Sequence, residues 1–269
     1  MKIRFGGIIG GLILLFATCA VASTINLITD PLRYAGVTAT DGSIWRVVMG
    51  NPTGTGYIDP FLRVQSGQGT YLYDSTRPDI EVGLNTDAPN PGVYNDKGSI
   101  YTHSLMFSDL AVTDGKWTFT FDINEPAGSA RNPDAKRFLS VDAFTIYSGS
   151  TATATSIAGL TELYRFEASI PIGPPVLLDF TMASSGSGKD DFEVRIPVVG
   201  NPLGEEYFYL YVRFGGADTY PTWAAQDGFE EVRALLGESH EYPGPEPTSL
   251  LLLGSGLLGL AALTRIFKK

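Results

Sequence analysis

The 269-residue chain has one cysteine, two histidines and few cations, nineteen Lys and Arg against twenty-nine Asp and Glu. Cys19 falls within the first twenty-two residues, so the chain beyond it has no thiol. A disulfide, a thiolate metal site and a cysteine nucleophile are therefore excluded there. The shortage of cations argues against nucleic acid and anionic membrane surfaces as partners, because both require basic patches. There is no G-x-S-x-G elbow, no EF-hand spacing and no internal repeat. Long apolar runs are confined to the two ends.

At the amino end, Lys2 and Arg4 precede thirteen apolar or small residues from Phe5 to Ala17. Ala20, Val21 and Ala22 then place small residues at −3 and −1 before Ser23. This three-part order predicts a secretory signal peptide over 1–22. A lipoprotein signal at Cys19 would need a small residue before the cysteine and a Leu-like residue at −3, whereas Thr18 and Phe16 stand there.

At the carboxyl end, Thr248 to Thr264 is uncharged, and extension to Phe267 gives twenty residues, about 30 Å as a helix. That length and an apolar surface all round predict a membrane span over 248–267. Pro245 and Pro247 stop it from extending backwards. Arg265, Lys268 and Lys269 are a membrane stop held on the cytoplasmic side. The order Pro245-Glu246-Pro247, apolar helix, basic cluster resembles the PEP-CTERM sorting signal of Gram-negative bacteria. The resemblance implies recognition of Pro245, Glu246 and Pro247 by an exosortase after transient insertion in the inner membrane, and the signal peptide predicts export through the Sec translocon. A final place at the cell surface or in the secreted fraction, in an extracellular polysaccharide or biofilm matrix, is implied by the same resemblance.

Without the two ends, fourteen basic residues face twenty-nine acidic ones, a net charge of −15, or −14 if Glu246 is lost. The middle reads as β throughout. "WTFTFDIN" (117–124) alternates apolar and polar residues, and "YFYLYVRF" (207–214) is aromatic and β-branched. Further strands are expected at 44–49, 58–65, 100–107, 138–147, 161–168, 175–181 and 192–199. One short helix is expected at 227–237, capped by Asp227, with Phe229, Val232, Leu235 and Leu236 near helical spacing. The expected fold is one all-β domain over 23–240, an antiparallel β-sandwich or jelly roll, monomeric and followed by a stem and sorting signal over 241–269. "GTGYIDPFLRVQ" (54–65), "GLNTD" (83–87), "FTFDINEP" (119–126) and "DGFEE" (227–231) resemble segments that run in this order through uncharacterised proteins carrying the same tail. No activity comes with that likeness.

Candidate chemistry is sparse. His103 lies between Thr102 and Ser104, but alternation along a strand points those hydroxyls away from it, and His240 lies in the stem. "SGSGKDD" departs from a phosphate loop because Asp190 follows Gly-Lys and no helix follows. Asp122 and Asn124 share one strand face, and with Asp134 they are candidate oxygen ligands for calcium. Trp45 and Trp117 read as core, whereas Tyr220 and Trp223 in "ADTYPTWAAQDG" are a candidate sugar-stacking pair. The leading expectation is a non-enzymatic matrix protein without a cofactor. A carbohydrate-binding module is the first alternative, and a glycoside-hydrolase-like enzyme with paired carboxylates is the second.

Overall fold

Lys116–Ile123 forms a strand because alternate side chains are apolar. Trp117, Phe119, Phe121 and Ile123 are buried on one face, while Thr118, Thr120 and Asp122 take the other. In the computed structural model, residues 25–49, 59–65, 80–89, 101–123, 138–167, 175–179, 182, 190–200, 206–215 and 229–237 are described. In chain order the strands are β1 (Ile25–Asn26), β2 (Val37–Thr38), β3 (Ile44–Val47), β4 (Leu62–Val64), β5 (Glu81–Leu84), β6 (Leu105–Met106) and β7 (Lys116–Ile123). They continue with β8 (Phe138–Gly149), β9 (Thr161–Glu167), β10 (Val176–Asp179), β11 (Phe192–Pro197), β12 (Tyr207–Phe214) and β13 (Glu230–Ala234). A 3-10 turn at Phe107–Asp109 joins β6 to the loop before β7.

These strands make two sheets. One runs β1-β10-β8-β12-β5, with β9 lying along β8 past the end of β10, and β6 along β12 past the end of β5. The other runs β2-β3-β11-β7-β13-β4 and is antiparallel throughout. The first sheet is mixed, because β1 pairs with β10 in parallel, Ile25 opposite Val176. The all-β sandwich is thus as expected, apart from that parallel edge.

Aromatic side chains join the two inner faces. Trp45, Phe119 and Phe121 of the six-stranded sheet meet Phe144, Phe208 and Phe214 of the other, with centroids 5.4–6.3 Å apart for Phe119–Phe144, Phe119–Phe208 and Phe121–Phe214. Trp45 and Trp117 are both buried, as their strand positions required. Burying each such ring contributes roughly 1.5–3 kcal/mol over leaving it in water. The β7 strand is entered through Asp114-Gly115, whose φ values of 52° and 69° are both positive. Thr113 and Lys116 exchange both backbone hydrogen bonds at 3.0 Å, which makes a two-residue turn of the primed type that Asp-Gly favours.

The expected helix at 227–237 is not formed. Glu230–Ala234 is strand β13, held between β7 and β4, with Glu231 opposite both Asp122 and Arg63. Val232 and Ala234 point into the core and Leu235 is about half exposed, so the apolar side chains obey a period of two. Ladder pairing on both edges overrides the helix preference of Glu-Glu-Val-Arg-Ala-Leu-Leu.

Candidate functional site

The alternation that fills the core also determines the outer face of the six-stranded sheet. Arg46 of β3 stands opposite Glu193 of β11, Glu193 opposite Thr120 of β7, and Thr120 opposite Arg233 of β13. One polar row therefore crosses four strands. Arg46 donates from Nε and Nη2 to the two Glu193 oxygens at 2.9 and 2.7 Å, and Arg195 Nε donates to Glu193 Oε1 at 2.7 Å. The Thr120 hydroxyl donates to Asp190 Oδ1 at 2.7 Å, and Asp190 Oδ2 accepts from Arg233. Thr118, opposite Arg195, completes the floor of an open groove of about 210 Å³. Thr113 and Leu235 also line it.

Near one end of this face the sheet brings two carboxyls together. Asp191 is fully buried; its Oδ2 accepts from the Ile123 amide at 3.0 Å and its carboxyl lies against that of Asp122. Burial pushes the Asp191 carboxyl up to about 8, the Ile123 amide opposes that, and Asp122 and Asp190 add to it. Two acids in contact away from water do not both ionise. At neutral pH Asp191 keeps its proton beside Asp122. In the same row beyond Asp122, Glu231 pairs with Arg63, whose guanidinium lies 3.5 Å from the centroid of the Tyr101 ring. Burial holds the Glu231 carboxyl above its ordinary value even with Arg63 beside it.

Asp122 is the one calcium candidate among the described residues; Asn124 and Asp134 lie outside them. Among the described residues, no three His, Cys, Asp or Glu side chains are close enough to hold a metal. Next to His103, Ser104 is bonded to Asp87. Its amide and hydroxyl donate to the Asp87 carboxylate at 2.9 and 2.8 Å, while Thr102 bonds the backbone of Arg63. Burial lowers the His103 pKa, with Asp59 and Asp87 opposing. A serine that donates to aspartate, not to histidine, is no activated nucleophile. The sugar-stacking pair Tyr220 and Trp223 lies outside the described residues, as do His240, the signal segment with Ala20, Ala22 and Ser23, and the tail with Pro245, Glu246, Pro247, Arg265, Lys268 and Lys269. No helix among the described residues is long and apolar enough to cross a membrane.

Identity comes from the other end of the chain. Residues 245–266 match the model of the PEP-CTERM protein-sorting motif. The chain carries a PEP-CTERM sorting tail. The match opens on Pro245-Glu246-Pro247 and takes in Arg265, which makes this PEP-CTERM protein an exosortase-targeted protein of the cell surface or the secreted fraction. Compared with curated proteins and with solved structures, it matches none.

Residues of the sandwich that sequence reasoning passed over are Thr118, Asp190, Asp191, Arg195 and Arg233. Each alone looks like a solvated strand face or a turn. The available signal was the polar half of the alternation in "WTFTFDIN" and "FEVRIP", which becomes a site only when the register sets those halves side by side.

Proposed function

We propose that this PEP-CTERM protein is a non-catalytic component of an extracellular polysaccharide matrix. In this reading a signal peptide over 1–22 directs it to the Sec translocon, a helix over 248–267 holds it in the inner membrane, and an exosortase acting at Pro245-Glu246-Pro247 releases the folded domain. The sorting motif at 245–266 is the observation that carries the reading. An acidic domain without a cysteine beyond residue 19 suits a soluble life outside the cell. The donation of the Ser104 hydroxyl to Asp87 weighs against a serine hydrolase.

Intact-mass analysis of the protein recovered outside the cell tests the processing, together with fractionation of the matrix. The expected species begins near Ser23 and ends near Pro245, and it travels with the polysaccharide fraction. A released protein that retains residues 248–267 contradicts the processing step. Clean release without any polysaccharide association contradicts the matrix role. Replacing Pro245 and Pro247 with Ala is expected to leave the protein in the inner membrane.

A further inference from the structure

We infer that the groove on the outer face of the six-stranded sheet binds one sugar unit of a neutral polysaccharide. The inference rests on the matrix reading above and assigns that role to a site. The groove lies at the centre of the sheet, between side chains of β7, β11 and β13, where a rigid ladder fixes every strand. Its charges are compensated from within: Arg195 is held by Glu193, and Arg233 by Asp190. Arg46, which is not among the lining residues, shares Glu193 with Arg195, while the four charged side chains that line the groove, Arg195, Arg233, Glu193 and Asp190, sum to zero and offer donors and acceptors at close range. That suits a neutral polyol better than an ion, the more so on a domain at −15, which repels acidic polymers.

Unused bonding capacity faces the same space. Arg195 spends only Nε on Glu193, so both of its terminal nitrogens have no partner among the described residues. The Thr118 hydroxyl likewise makes no hydrogen bond among them. Guanidinium and hydroxyl groups at neighbouring positions match the vicinal hydroxyls of a sugar ring. Each bond to a charged donor is worth more than a neutral one. Leu235, 49% exposed at the rim, gives the apolar face of the ring something to lie against. A volume of about 210 Å³ limits occupancy to a single small ring, with the rest of the polymer running over the sheet.

The test is affinity electrophoresis of the full chain in a polyoxyethylene detergent, since alkyl glycosides would compete. The gels contain laminarin, hydroxyethylcellulose or dextran as neutral polymers, and polygalacturonate as the acidic one. At least one neutral polymer should retard the protein, equally at low and high NaCl. Thr118→Val, which keeps shape and strand preference, and Arg195→Gln should each weaken retardation about tenfold, the loss of one hydrogen bond to the ligand. Both variants should melt within a few degrees of the parent. Retardation that survives both substitutions overturns the site, and its loss on Trp223→Ala instead places binding elsewhere. Retardation by polygalacturonate alone, weakened by salt, overturns the ligand class. No retardation by any neutral polymer overturns the inference itself. The matrix reading fails separately, when the exported protein does not travel with polysaccharide in cell fractions.

Discussion

The two outer faces of the sandwich are built differently, although both inner faces are the same aromatic packing. On the seven-stranded sheet, Val82 and Leu84 of β5 join Ile80, Tyr147 and Tyr209 in a second apolar cluster, with Leu160 and Ala154 of the loop 150–160 packed on it. Tyr209 pins that loop: its hydroxyl donates to the Thr151 carbonyl and accepts from the Ala154 amide. The six-stranded sheet carries instead a lattice of arginines, acids and threonines open to solvent. One outer face has become a small core, and the other carries a polar lattice with a groove in it.

Substitutions should separate these regions. The largest effect is expected at the shared inner core, where Phe119→Ala should cost about 3–5 kcal/mol of unfolding free energy in urea titration. A loss below 1 kcal/mol would mean that the two sheets are not packed through this ring. Next comes the covered face. Tyr209→Phe removes the hydroxyl that ties down the loop and should cost about 1–3 kcal/mol, with new proteolytic cleavage between residues 150 and 160. The open face should be the least sensitive. Arg46→Ala should cost no more than about 1 kcal/mol, because its partner is reached across a surface where Arg46 is about a third exposed. A cost near that of Phe119→Ala would erase the distinction between lattice and core.

The acid pair adds a pH axis to the comparison. Asp191 in the folded state holds its proton up to about pH 8, whereas in the unfolded chain it releases it near 4. Between those values the folded state binds more protons, so this group makes stability fall as pH rises, and above about 8 its effect is constant. Asp191→Asn can still accept from Ile123 and can donate to Asp122 without titrating. It should flatten the decline in melting temperature between pH 5 and 8 and stand above the parent at pH 8. A parallel decline in the variant would assign the pH dependence to other acids.

Much of this was legible in the sequence where alternation and burial coincide. β7, β8, β11 and β12 fall where "WTFTFDIN", "FLSVDAFTIY", "FEVRIP" and "YFYLYVRF" place them. β13 was misread because Glu-Glu-Val-Arg-Ala-Leu-Leu has helix-forming composition, and its strand state is imposed by β7 and β4, which are distant in sequence. β5 escaped notice because Glu81-Val82-Gly83-Leu84 is short and buried at all four positions, leaving no alternation to see. Asp122 was noted as a carboxylate, but its contact with Asp191, across the register of β7 and β11, is a property of the sheet alone.

The position of β13 also sets a clock. Strands β4 and β7 have their shared neighbour only when residues 230–234 arrive, so the six-stranded sheet has a gap until nearly the whole domain has emerged. Eleven residues after Ala234, at Pro245, the sorting motif begins. In the export route proposed above, with the amino end leading, the chain would present an incomplete sheet with two unpaired edges for most of its passage. On that route the sheet would close almost as the sorting signal emerges. Completion of the fold and delivery of the tail are thus close to one event in time, and a chain shortened before residue 230 should stay open and prone to edge pairing however long it is given to fold.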